Sequence, residues 1–144
     1  MKRFRFRLQR VLDLRVQIRD EARQELVRCN AEREHQVCVL AQLQDEFFQL
    51  GLAEGGMYYA SDLTRLGAYA ERLTVAIDRQ KVVVAEAIKA VEQAQARYIE
   101  TSKDAKTLEM LRDKKLQEFQ AEQLREEALV LDELAMQRVI RGAE

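Results

Sequence analysis

The chain has no proline and no tryptophan, and only 5 glycines among its 144 residues. Average usage would place about seven prolines in a chain this long. A β-sandwich, a β-barrel or a compact α/β enzyme needs many turns, and proline and glycine make most of them, so the deficit argues against those folds. Disorder fits no better. Disordered chains are usually rich in proline and poor in apolar side chains, whereas 47% of these residues are hydrophobic. Long apolar runs are lacking too. No stretch of about 18 apolar residues occurs, so no membrane span is expected. Arginine recurs every few residues as far as Arg15, which leaves no apolar core for a secretory signal. The expected location is the cytosol. Cysteine is scarce, with Cys29 and Cys38 alone, as suits a reducing compartment. On one helix they would lie about 13 Å apart and half a turn out of phase, too far to bridge.

What is present is helix-forming sequence with 34% charged residues and a formal net charge of −1. A near-zero balance gives no global attraction to nucleic acid or lipid. The charge is nevertheless uneven. Residues 1–15 hold six basic side chains against Asp13, a local +5, and residues 116–144 carry a local −4. Such asymmetry points to partners, or to the two blocks lying near each other.

The predicted fold is all-α: two long helices in an antiparallel coiled-coil hairpin, a single unit over 1–144. The first helix is expected over about 4–50, the loop over about 51–60 and the second helix over about 61–140. In the first segment Leu8, Val11, Leu12, Ile18, Ala22, Leu26, Cys29, Val37, Leu40, Leu43, Phe47 and Leu50 form an apolar stripe, with Arg15 and Arg33 on or near it. Gly51 is expected to end that helix in a left-handed cap, Gly55-Gly56 to turn the chain, and Ser61 to cap the second helix with Asp62 in its first turn. In the second segment a strict alternation of three and four runs from Leu63 through Leu66, Ala70, Leu73, Ile77, Gln80, Val84, Ala87, Val91, Ala94, Tyr98, Thr101, Ala105 and Leu108. Twelve of these fourteen are apolar, which is a coiled-coil seam of about seven heptads with a left-handed supercoil. Past Leu108 the register fails at Arg112, Lys115, Glu122 and Glu126. Gly67 lies off the seam and is placed to permit a local bend. With a turn near Gly55, paired residues sum to about 111, so Leu8 would face Lys103. Residues 108–140 are then expected to overhang without a partner in the chain, and a lone amphipathic helix is marginal unless its apolar face is received.

Two helices have no third layer to enclose a pocket, so no enzyme site and no cofactor are expected. The glycines at 51–56 are followed by Met57 and Tyr58, not by the Lys and Ser or Thr of a phosphate loop. His35 and Cys38 share a helical face and could supply two metal ligands, short of the four a structural zinc needs. No nucleophile–base pair stands out, and Glu126-Glu127 reads as a solvated face. Phe4 and Phe6 alternate with Arg3, Arg5 and Arg7. This basic start reads either as a fraying helix end or as a contact for an acidic protein partner, with lipid or nucleic acid as further alternatives. Five of the nine aromatics, Phe47, Phe48, Tyr58, Tyr59 and Tyr69, lie between 47 and 69. They either cap the hairpin core or offer a binding tip.

Three features converge: the opening Phe6-Arg-Leu8 with Val11, Leu12 and Arg15; the long hairpin; and Lys106, Leu108, Glu109, Leu111, Lys114-Lys115, Asp132-Glu133, Ala135 and Arg138 later in the chain. Together they resemble the FliJ family, the small coiled-coil component of the flagellar type III export apparatus. The resemblance covers nearly the whole chain. It implies a non-catalytic stalk similar to the central γ stalk of rotary ATPases. Such a stalk would sit in a hexameric flagellar export ATPase, reach a membrane export gate protein and help cycle export chaperones. The location implied is cytoplasmic, peripheral at the inner face of the cell membrane, with roles in motility and chemotaxis. By position, the gate-facing surface maps onto Gln36, Leu40, Leu43 and Phe47 of the first helix and Tyr69, Leu73, Ala76 and Gln80 of the second. Candidate ring contacts are Arg3, Arg5, Arg7, Leu8, Leu116, Phe119, Asp132, Glu133 and Arg138. The alternatives are a stalk of a virulence-type secretion system and a generic coiled coil self-associating through 108–140.

Overall fold

A computed structural model describes residues 3–53 and 58–142. It contains two α-helices, α1 (Gln9–Ala53) and α2 (Ala60–Arg141), of 45 and 82 residues. They run antiparallel as a coiled-coil-like helical hairpin. With no proline, nothing interrupts either hydrogen-bond ladder.

The helix boundaries depart from expectation. α1 does not end at Gly51 but continues to Ala53. No described glycine has positive φ, so Gly51 makes no left-handed cap. The expected Gly55-Gly56 turn lies outside the described residues. α2 is entered through Tyr59, whose carbonyl accepts from the amides of Asp62 (2.9 Å) and Leu63 (3.2 Å). Ser61 therefore sits inside the first turn and is not the cap. Asp62 is in the first turn and Arg138 and Arg141 in the last, each matching the sign of the helix dipole there. Gly67 lies within unbroken helix, and a Cβ there would meet nothing within 4 Å.

The helical start expected at Phe4 is also corrected. Residues 3–6 form no helix, and α1 begins only after a turn in which the Gln9 amide donates to the Phe6 carbonyl at 3.1 Å. Arg-Phe-Arg-Phe-Arg-Leu has period two, which places both phenylalanines on one side of an extended backbone. Phe4 and Phe6 are accordingly half-buried, and Arg3, Arg5 and Arg7 exposed.

The chain divides into two compact units, one of Asp20–Glu100 and one of Met1–Arg19 with Thr101–Glu144. In the first, every α2 seam position from Leu66 to Tyr98 is buried or half-buried, and only Leu63 is exposed. Leu73, at 5% exposure, Val91 and Ala94 are buried. On α1, Ala22 is buried and Leu26, Cys29, Arg33, Gln36, Leu40, Leu43 and Leu50 are half-buried. Val37 and Phe47, both counted in the stripe, are exposed; Gln36 takes the seam position beside Val37 instead. Gln36 and Gln80 form a polar layer. Gln80 Nε2 donates to Gln36 Oε1 (2.6 Å) and to its carbonyl (3.0 Å), so both side chains enter the seam satisfied. Tyr69 donates to Glu46 at 3.3 Å. The pairs Gln36–Gln80 and Glu46–Tyr69 sum to 116 and 115, not the expected 111. α1's extension past Gly51 carries the connection later in the chain, which moves the register in that direction.

In the second unit Leu12 is buried and Ala105 has no exposed surface. Arg15 pairs with Asp104 at 3.4 Å and Arg19 with Glu109 at 3.3 Å. The α2 seam does not end at Leu108. Leu116, Phe119, Gln123 and Glu126 are half-buried and resume the three–four alternation. Arg112 stands four residues from both Leu108 and Leu116, so one extra step of four, a stutter, moves the stripe past it. Residues 3–8 supply the cover. The Phe4 and Phe119 rings lie 5.6 Å apart at 52°, a tilted aromatic pair. Leu8 lines a groove with Leu111 and Lys115 instead of facing Lys103. The overhang is thus shorter than expected: it is residues 127–142 that are all exposed.

Candidate partner-binding surfaces

The first surface lies near the hairpin connection. Phe47, Phe48, Tyr58, Tyr59 and Tyr69 are all exposed, Tyr59 by 83%. Two helices offer no interior wide enough to take in all five rings. Tyr58 and Tyr69 line one groove with Asp62, Arg65 and Leu66. Of the residues mapped to the gate-facing surface, Phe47 and Tyr69 are exposed, while Leu40, Leu43 and Ala76 are half-buried. Leu73 is buried in the seam, and Gln80 donates to Gln36, whose own amide donates to Glu32.

The second surface belongs to the unit of residues 3–19 and 101–142. Arg3, Arg5, Arg7 and Leu8 line a groove with Phe119, Glu118 and Glu122. The opposite charge blocks noted in the sequence do lie together here. Glu118 accepts from Lys115 at 2.7 Å, a hydrogen bond that holds its carboxyl below the usual glutamate range. Leu116 is half-buried, and Asp132, Glu133 and Arg138 lie on the exposed overhang. The structure therefore gathers Arg3, Arg5, Arg7, Leu8 and Phe119 at one groove and leaves the last three apart from it.

The overhang is the third surface. Leu129, Leu131, Leu134, Met136, Val139 and Ile140 are each at least half exposed. Such a concentration of large exposed apolar side chains around a lone helix is the mark of a partner-binding segment.

The side chains singled out for metal chemistry stay apart from any cluster. His35 is exposed, and Cys38 Sγ accepts a weak contact from Gln42 at 4.0 Å. Among the described residues, no three of His, Cys, Asp and Glu gather to hold an ion. Cys29 donates to Glu25 at 3.6 Å, and burial first, then the Glu25 charge, pushes its thiol pKa up. No described helix is long and apolar enough to cross a membrane.

Sequence reasoning missed one role. Arg112 looked like a break in the seam, yet it borders a groove with Arg3, Arg5, Arg7 and Arg10. The period-two pattern of the first residues was the signal that places them there.

The family model described as "Flagellar FliJ protein" matches residues 4–144. Comparison with curated proteins and comparison with solved structures each give no match. A match over nearly the whole length, on a chain folded as the hairpin that the resemblance implies, leads to one conclusion: this chain belongs to the FliJ family and is a non-catalytic component of the flagellar export apparatus.

Proposed function

We propose that the chain is a stalk and adaptor that couples a hexameric export ATPase to a membrane export gate protein. The overhang carries this reading. Residues 127–142 expose a dense set of large apolar side chains that nothing described in the chain covers. Inserted in a ring, that segment gains the cover that a lone helix lacks. Arg3, Arg5 and Arg7, with Asp132, Glu133 and Arg138, are the charged groups offered to the ring wall. Leu8, Leu116 and Phe119 serve behind them by holding residues 3–8 on α2. The exposed aromatics near the connection are the surface offered to the gate, led by Phe47 and Tyr69, with Leu40, Leu43 and Ala76 at their edge. Leu73, Gln36 and Gln80 position that surface from within the seam. Export chaperones are further partners, and the working location is the cytoplasmic face of the cell membrane, reached through the apparatus.

The test is the hydrolysis rate of the cognate export ATPase with the full chain and with a chain ending at Glu126. Stimulation by the first and not the second is expected. Equal rates with both, or no stimulation by either, would sink the ring-insertion reading. The exposed segment also suits self-association through the overhang, which a doubled mass in light scattering, abolished by the same truncation, would establish instead. A strain lacking the chain should lose motility and chemotactic spreading. A strain that swims normally and secretes through a virulence-type system only with the chain present would reassign it to that system.

A further inference from the structure

Arg3, Arg5, Arg7, Arg10 and Arg112 line one groove, together with Phe4, Phe6 and Gln9. No acid is among the lining residues. All five arginines are exposed, and none is in an ion pair among the described residues. Of the nearby carboxylates, Asp13 is engaged by Gln9 (2.8 Å), Asp104 by Arg15, Glu109 by Arg19 and Glu118 by Lys115, and Glu122 lines the neighbouring groove, not this one. The first turn of α1 carries no acid to offset the positive end of its dipole. The like charges come from three places, the extended residues, the start of α1 and the stutter of α2. Phe4 against Phe119 holds the first of these in position.

Like charges so placed repel unless an anion lies among them. We propose that this groove binds a compact polyvalent phosphate: a di- or triphosphate chain, free or carried by a nucleotide, or the phosphorylated headgroup of a lipid. Charge density decides for phosphate over an acidic peptide. A terminal phosphate alone carries about −1.5 to −2 near neutral pH. A peptide carboxylate carries one charge, and the next carboxylate on the same side of an extended strand is about 7 Å away. Guanidinium groups suit such a ligand because their planar forks bond phosphate oxygens in pairs. Binding needs no ATPase ring and no gate, so it stands or falls independently of the stalk reading.

The experiment is calorimetric titration of the isolated full chain with sodium tripolyphosphate at low ionic strength. One saturable site is expected, weakening as salt rises. The double variant Arg10→Gln, Arg112→Gln should weaken binding roughly tenfold or more, since each charge-assisted bond is worth about a factor of ten. A control double variant, Arg65→Gln with Arg72→Gln, removes the same charge from the unit of residues 20–100 and should bind within about twofold of the parent chain. All four side chains are exposed, and unchanged helicity confirms that each variant folds. ATP, and vesicles of phosphatidylcholine with and without phosphatidylinositol bisphosphate, assign the source by which competes best with tripolyphosphate. Equal losses in the two double variants, or no saturable site, would overturn the proposal. So would tighter binding of an Asp/Glu-rich peptide than of tripolyphosphate, which would make the groove a protein contact.

Discussion

The unit of residues 20–100 and the unit of residues 3–19 with 101–142 solve one problem in different ways. Each must cover the apolar stripe of α2. In the first, α1 does so with a stripe of matching three–four spacing, and the seam is shielded from Leu66 to Tyr98. In the second, the stripe steps sideways at Arg112, is covered by an extended Phe-Arg alternation as far as Phe119, and is then bare from residue 127. A helix with the same period buries a stripe over any length. An extended segment gains about twice the distance per residue but offers one contact every second residue. The first solution suits a fixed element. The second suits a surface that other molecules can reach.

The largest effect should come from breaking the matched seam. Leu73→Asp places a charge at a site with 5% exposure and no basic partner on the seam beside it. A loss of about 3–5 kcal/mol is expected, enough to remove most of the stability of a hairpin this thin. Thermal melting followed by circular dichroism measures it. Leu131→Asp, on the bare overhang, should leave melting almost unchanged. If the two substitutions cost the same, the contrast between covered seam and bare overhang is wrong.

The polar layer sharpens the comparison within the covered seam. Gln80→Ala leaves the Gln36 side chain and its carbonyl without their donor, and should cost about 1–2 kcal/mol. Replacing both glutamines by leucine should restore or exceed the parent stability while weakening the choice of register, as a polar seam residue is best attested to set register. Cross-linking between single cysteines placed at 43 and 73 reads the register directly. A double variant as singly registered as the parent would deny the layer that role.

How much of this was legible follows from the same contrast. The seam from Leu66 to Leu108 could be read position by position, because in a matched pair the spacing of one helix alone predicts what is covered, and only Leu63 at its start failed that reading. Gln80 was legible as a seam position, but its partner Gln36 was not, since a pairing depends on the register. That register was misplaced because Gly51 reads locally as a helix end and here simply continues the helix. The stutter was hidden because Arg112, Lys115 and Glu122 fall where a strict repeat demands apolar residues, while Leu116, one residue after Lys115, looks off-register. The Phe-Arg alternation carries both a charge and a period, and it is the period of two that decides where the segment packs. The aromatics near the connection were visible. Whether they lie inside or outside is decided by the width of a two-helix interior, which no local pattern states.

The extended cover is tested by Phe4→Ala. Phe4 is half-buried on Phe119, so its loss should cost about 1 kcal/mol and leave the melting of the hairpin little changed. The sensitive readout is trypsin cleavage after Arg3, Arg5 and Arg7. It should accelerate about fivefold on release of the segment, in line with that free energy. Unchanged cleavage would mean that the aromatic pair does not hold residues 3–8.

The smallest effect is electrostatic, and it checks that the difference between the units is one of packing. A close ion pair within a single helix is found in each unit. Arg28 bonds Glu25 at 2.6 Å in one, and Lys115 bonds Glu118 at 2.7 Å in the other. The hydrogen bond from the base is the leading cause that lowers each carboxyl below the ordinary value of 4.5. A carboxyl lowered by folding stabilises the fold above its unfolded pKa, and that contribution disappears as pH falls through the lowered, folded value. Helicity should therefore be flat from neutral pH down to about the ordinary glutamate value and soften only below it. Both pairs are solvent-exposed, so the slope should be shallow. Glu25→Gln and Glu118→Gln should flatten it by similar small amounts. A steeper response in Glu118→Gln alone would show that charge, and not the change from helical to extended cover, sets the second unit apart.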